Sequence, residues 1–316
     1  MHKVIFDTDP GVDDAMALLF LERHPDIELL GITTAFGNAS IETTTRNALY
    51  LKQQWGLTAP VSRGSSEQFD PGRKPHPFPA HIHGDDGLGN IGVPDVIDLP
   101  LDPRPAHQFI IDTVMANPGE VALVAVGRMT NLANALKAAP EIAGLVREVI
   151  IMGGAVDVPG NVTPAAEANI HGDPEAADHV MTAPWKVVVV GLDVTLKTTM
   201  SRMELAGLAK QGGAAVELLD RLSQFYIDFY DGEVKDSMVV HDTCACVYLV
   251  ARELFTTRSG PVRVLTTGIG EGKTLQKPDG HRFGPSEWDG KPSQLVCTDV
   301  RADALMALVK KTLVRQ

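Results

Sequence analysis

Cysteine is scarce in this chain: three in 316 residues, Cys244, Cys246 and Cys297. That number is too small and too odd for a disulfide framework, so a reducing compartment, the cytoplasm, is the expected location. The Cys244-x-Cys246 spacing turns the two side chains apart on a helix, which points to apolar packing and not to a metal or redox pair. Long apolar runs are lacking as well. No stretch reaches the roughly 20 apolar residues of a membrane helix, and the start has no basic region, apolar core and cleavage site of a secretory signal. No membrane partner is therefore expected. Positive charge is in deficit, with 28 Lys and Arg against 40 Asp and Glu and a net charge of -12. Nucleic acid is an unsuitable partner for such a chain, and cations suit it better.

There is also no internal repeat, low-complexity tract or Gly/Ser linker. Residues 1–316 are expected to form a single domain. The hydrophobic share of 44% and charged share of 22% are those of an ordinary globular protein. Apolar β-rich runs alternate with helical patterns, the signature of parallel strands joined by crossover helices. Strands are expected at Val4–Thr8, Ile27–Phe36, Val121–Val126, Glu148–Met152 and Lys186–Leu192, with Val187–Val190 buried on both faces. Helices are expected at Asp13–Arg23, Ile41–Trp55, Asn131–Ala139 and Pro174–Thr182, the last with Asp173 as N-cap and Pro174 at the first position. Late strands are read at Gly260–Thr267 and Gln294–Thr298, and a closing helix at Ala302–Val314. The fold class is thus α/β, with a mostly parallel central sheet flanked by helices: a Rossmann-like core with inserted loops and helices. Two insertions, Gly64–Pro94 and the more helical Ser201–Phe255, are expected over the strand ends, where open parallel sheets bind ligands.

The densest chemistry lies at the start. Asp7, Asp9, Asp13 and Asp14 fall within eight residues, after an apolar strand and before a helix. Asp7 and Asp9 share a face of an extended strand, and Pro10-Gly11 is a turn signal that can bring Asp13 and Asp14 back toward Asp9. So many anions together are costly unless a cation or shared protons relieve them. Oxygen ligands alone favour calcium or magnesium. Helix capping accounts for one of these aspartates, not for all four.

The run Asp7-Thr8-Asp9-Pro10-Gly11-Val12-Asp13-Asp14-Ala15 resembles the N-terminal signature of the calcium-dependent nucleoside hydrolases of the inosine-uridine type. The resemblance continues in order through Thr33-Thr34-Ala35-Phe36-Gly37-Asn38, His83-Gly84, Met129-Thr130-Asn131-Leu132-Ala133, Met152-Gly153-Gly154, Asn161 to Asn169 and His241-Asp242. It covers about residues 3 to 242.

The resemblance implies a Ca²⁺ ion bound by the carboxylates of Asp9, Asp14 and Asp242 and by the backbone carbonyl of Thr130. It implies that Asp9 is the general base toward a water held by the metal. Ribose contacts fall by the same likeness to Asp13, Asn38, Asn161, Glu167 and Asn169, with Met152 also at the substrate. Asn161 can equally be read as an ordinary Gly-Asn turn. His241 resembles the family's leaving-group histidine, although a histidine at a helix start is often satisfied locally. His83, among Pro71, Pro75, Pro77 and Pro79 before it and Gly84, Gly87 and Gly89 after it, would lie on a loop that closes over the nucleoside. His81 is an equal candidate on composition. Tyr226 and Tyr230, at i and i+4, would line the base pocket or simply pack on a helix. The expected partner is a small ribonucleoside, and the family likeness implies a homodimer or homotetramer.

Three residues depart from the family's pattern. Arg128 precedes Met129 where Pro-Leu is common, Ala168 stands where an aromatic is frequent, and so does His171. They leave the metal set intact and the base preference open. Two rival readings remain. In a haloacid-dehalogenase-like phosphatase, Asp7 would be the nucleophile and Asp9 the acid/base, with magnesium. A non-catalytic nucleoside or ribose-binding protein would keep the metal site alone.

Overall fold

The apolar runs become strands because each is covered on two sides. In the computed structural model, which describes residues 1–74 and 76–315, Pro75 and Gln316 lie outside the described residues. Strand β1 (His2–Thr8) leads into α1 (Val12–Arg23), and β2 (Ile27–Thr34) into α2 (Ile41–Trp55). A short β3 (Val61–Ser62), a one-turn α3 (Ala80–His83) and α4 (Ala106–Ala116) follow, then β4 (Val121–Ala125), α5 (Thr130–Ala138) and β5 (Glu148–Met152). Next come α6 (Ala168–Gly172), α7 (Pro174–Thr182), β6 (Val187–Val190), α8 (Leu192–Thr195), β7 (Thr199–Ser201) and the long α9 (Arg202–Tyr230), interrupted at Gly213 where φ is +68°. The chain ends through β8 (Ser237–Val239), α10 (Asp242–Val250), β9 (Phe255–Gly260), β10 (Val262–Val264), β11 (Thr274–Gln276), β12 (Gln294–Val300) and α11 (Ala302–Leu313).

Eight strands form the central sheet in the order β3-β2-β1-β4-β5-β6-β12-β9. All neighbours run parallel except β9, which is antiparallel to β12 at one edge. Val4, Phe6, Val124, Ile150, Val188 and Val190 pack on one face with α1, α9, α10 and α11. Ile5, Leu123, Val149, Ile151, Val187 and Val189 pack on the other with α4, α5 and α7. That two-sided burial is why the strands read as unbroken apolar runs. β1 lies between β2 and β4, so the crossovers leave in opposite directions from it. A crevice opens there at the carboxyl ends of the strands.

The expected α/β sheet is the observed one, with two corrections late in the chain. The run read as one strand at Gly260–Thr267 is split: Gly260 ends β9, while Val262–Val264 pairs with β11 in a separate two-stranded sheet. β9 itself was hidden at the end of the helical stretch, because an edge strand with exposed Thr256, Thr257 and Ser259 carries no apolar alternation. The helix α4 was also unmarked. Its N-cap position is Pro105, with no side-chain cap, so the usual start signal is missing. No helix among the described residues is long and apolar enough to cross a membrane.

Candidate active site

The acidic segment after β1 folds back as its turn residues predict. Asp14 Oδ1 accepts from the Thr8 hydroxyl at 2.5 Å and from the Asp9 amide at 3.2 Å. Its Oδ2 accepts from the Gly11 amide at 3.0 Å and from Asn38 Nδ2 at 2.9 Å. The capping aspartate is therefore Asp14. Asp7 faces away from the crevice floor, bound through Oδ1 to the Thr33 hydroxyl at 2.5 Å and to Asn131 Nδ2 at 2.8 Å. It ties β1 to β2 and to α5. Asp9 takes the Asn38 amide on Oδ2 at 2.7 Å, and its Oδ1 is buried without a partner. A methyl on Gly37 would stand 2.0 Å from Oδ2, and one on Gly127 would stand 2.5 Å from Oδ1. Two glycines thus make the slot that holds this carboxyl.

Asp242, the first residue of α10, completes the floor: ligand atoms of Asp13, Asp14 and Asp242 lie within 4.8 Å of one another, all three buried. Burial and mutual repulsion push these carboxyls up, Asp13 to about 8 and Asp9 and Asp242 well above the usual carboxylate range. Such a group of buried acids with a free oxygen beside it is the donor set of a hard divalent cation, whose charge would bring those pKa values back down. Thr130 is not among the residues that line the chamber above them. It opens α5, where a carbonyl points along the helix, and its hydroxyl donates to Asp173 Oδ2 at 2.6 Å. The residue that lines the cavity beyond β4 is Val126, whose carbonyl accepts from Asn169 Nδ2 at 2.7 Å.

Above the acids is an inner chamber of ≈ 120 Å³, lined by Asp13, Asn38, His83, Met152, Asn161, Glu167, Asn169, Tyr226, Tyr230, His241 and Asp242. Every substrate-binding residue expected from the sequence is among them. Glu167 caps α6, accepting from the amides of Asn169, Ile170 and Gly154 at 2.9, 3.2 and 2.9 Å, so its carboxyl is fixed in place. Asn161 is exposed at the rim and accepts from the Ala168 amide at 3.1 Å. His83 is buried on α3 and not in a loop. Its ring lies 5.3 Å from that of Tyr226, and its Nδ1 accepts from the Val12 amide at 3.4 Å. His81, two residues away, faces Phe229 at the outer mouth.

His241 is held from both sides by partners distant in sequence. Its Nε2 is hydrogen-bonded to the Tyr230 hydroxyl at 2.9 Å and its Nδ1 to the Thr195 hydroxyl at 2.8 Å. Desolvation lowers its pKa to about 4, so the imidazole is neutral at neutral pH, one nitrogen donating and the other accepting. Tyr226 and Tyr230 meet edge to face at 5.0 Å, and both line the chamber. Thr195 was not foreseen. It sits in a four-residue helix after an apolar strand, where no spacing marks a hydroxyl that orients a histidine.

The family model described as inosine-uridine preferring nucleoside hydrolase matches residues 4–307. The chain belongs to that family. It is 39% identical over 320 residues to uridine nucleosidase 1 of Arabidopsis thaliana, covering 99% of this chain and 94% of the relative. It is 37% identical over 275 residues to the inosine-uridine preferring nucleoside hydrolase of Leishmania major, covering 85% and 86%. A solved plant nucleoside hydrolase superposes with a TM-score of 0.95 at 36% identity, over 100% of this chain and 99% of that one. Neither rival reading finds support among these matches, and Asp7, the nucleophile a phosphatase would need, is bound into the sheet.

In this nucleoside hydrolase the departures from the family pattern meet at a second chamber, with Ala168 lining the inner one as well. Arg128, Ala168 and His171 all line an adjoining outer chamber of ≈ 560 Å³, together with Asp9, Asn38, His76, Phe78, His81 and Phe229.

Proposed function

We propose that this hydrolase cleaves the N-glycosidic bond of ribonucleosides to ribose and free base with the help of calcium, and that Asp9 is its general base. The observation that carries the reading is the buried floor of Asp13, Asp14 and Asp242, with the free Asp9 Oδ1 beside it. Asp9, Asp14 and Asp242 would hold the ion together with a backbone carbonyl, that of Thr130 by the family likeness or that of Val126, which lines the cavity. When bound, a divalent cation supplies acidification of a water and a fixed charge for sugar hydroxyls. Asp9 accepts the proton of the attacking water on Oδ1, while the Asn38 amide fixes Oδ2. Asp13, Asn38, Asn161, Glu167 and Asn169 seat the ribose. As the C–N bond opens, positive charge grows on the sugar, as in glycoside hydrolysis, and the carboxylates of Asp13 and Glu167 stabilise it. His241, oriented by Thr195 and bonded to Tyr230, passes its ring proton toward the departing base as its other nitrogen takes one from the hydroxyl bonded to it.

Uridine heads the proposed substrates, because the Arabidopsis relative carries that activity in its name. The single-domain organisation of residues 1–316, a cytoplasmic location and assembly into a homodimer or homotetramer belong to the same reading, the location being in keeping with three buried, free cysteines. Asp9→Asn tests the base directly. Ribose release from uridine is expected to fall by roughly 10²–10⁴, with the variant still folded by circular dichroism. Retention of wild-type turnover would remove Asp9 from its role.

A further inference from the structure

Among the described residues, three buried and unpartnered polar atoms belong to residues that line the outer chamber: Asp9 Oδ1, Arg128 Nη1 and His76 Nε2. The first has its use above, and the other two have none. Arg128 is only 6% exposed. Its guanidinium lies over the Phe36 ring, 4.6 Å from the centroid, and Asp9 and Asp173 act on it only through space. A buried cation left without a hydrogen-bonding partner is costly, so a ligand that supplies acceptors is the missing half of this contact.

The surroundings decide the sign of that ligand. His76 lies tilted against His171 with centroids 4.5 Å apart, and Glu271 brings a carboxylate within 4.8 Å of both imidazoles. A cation is nevertheless disfavoured in this corner, since Glu271 is already paired with Arg73 and Arg128 stands beside it. Asp9 is the one acid among the residues lining the outer chamber, whereas Asp13, Glu167 and Asp242 line the inner one. Size points the same way. The inner ≈ 120 Å³ is below the roughly 300–1,000 Å³ of ordinary ligand pockets, so a nucleoside whose sugar sits there must extend into the outer ≈ 560 Å³.

On the hydrolase reading given above, we infer that the outer chamber is a subsite for an anionic group carried by the substrate, a carboxylate or a phosphate, received by Arg128 with His76 at its side. The guanidinium fork matches either group in two parallel hydrogen bonds, and the unpartnered imidazole nitrogen adds one more. The substrates favoured would then be acidic ribonucleosides, with the anion on the base or on the sugar.

Calorimetric titration of the calcium-loaded protein with product fragments tests this without turnover. Ribose is compared with ribose 5-phosphate, and uracil with its 6-carboxylate, in the wild type, Arg128→Gln, Arg128→Lys and His76→Gln. One anionic fragment is expected to bind roughly tenfold or more tighter than its neutral counterpart. The advantage should vanish in Arg128→Gln, survive in part in Arg128→Lys and weaken in His76→Gln. The fragment that shows it tells whether the anion is borne by base or sugar. No advantage in the wild type, or the same advantage in Arg128→Gln, overturns the inference. If Arg128→Gln does not fold, an advantage unaltered in both Arg128→Lys and His76→Gln overturns it equally. Ribose release from uridine is read in parallel. Release without anion preference leaves the hydrolase reading standing and removes the subsite, whereas Arg128-dependent anion binding without release does the reverse.

Discussion

His241 has both ring nitrogens occupied, by Thr195 and by Tyr230, and that arrangement separates a proton carrier from a helix-end residue satisfied locally. If it delivers a proton to the leaving base, His241→Ala and Tyr230→Phe should slow uridine hydrolysis much more than hydrolysis of an activated aryl riboside, whose leaving group needs no proton. Equal losses on both substrates would assign the pair to packing alone. His83 carries a different consequence. Desolvation lowers its pKa from 6.5 to about 3, so between those values the unfolded chain binds a proton that the folded one does not. Stability therefore rises with pH across that window, is complete above 6.5 and is lost as pH falls toward 3. Urea unfolding at pH 4.5 and pH 7 should show a smaller difference for His83→Asn than for the wild type. Equal differences would show that His83 is not protonated on unfolding.

Among the elements, α7 shows how a sequence signal and a tertiary tie can coincide. Asp173 was legible as its N-cap, and it does accept from the Ala176 amide at 3.2 Å. It also holds the Phe69 amide at 2.8 Å and the Thr130 hydroxyl at 2.6 Å, contacts that no local pattern discloses. Asp173→Ala should therefore cost about 2–4 kcal/mol, more than a cap alone, because buried donors from three segments lose their acceptor. Chemical denaturation measures it, and a loss near 1 kcal/mol would mean that those donors find other partners. The same contrast explains what could be read beforehand. Strands such as Glu148–Met152 were clear because burial on both faces leaves an apolar run, and the Asp9 to Asp14 turn was clear because Pro10-Gly11 has few other uses. β9 was not, since a polar edge strand is specified by its neighbour β12 and not by its own pattern. A backbone carbonyl leaves no mark in a sequence either, so the Val126 main chain at the cavity wall after β4 was not legible beforehand.

At the scale of the whole molecule, the doubly covered sheet gathers segments that the sequence spreads from Asp9 to Asp242 at the carboxyl ends of the strands. The net charge of -12 is in part concentrated on the floor of this crevice, where burial alone would leave the acids protonated. A divalent cation would make them useful as anions, and the proposed catalysis depends on it. The most direct test is release of ribose, measured as reducing sugar, from a panel of purine and pyrimidine nucleosides, with matched samples stripped by a chelator and then given calcium back. Release should disappear on chelation and return with calcium, uridine leading the panel. Release that persists at full rate in the stripped protein would contradict the metal's role, and no release from any nucleoside in the presence of calcium would contradict the proposed reaction itself.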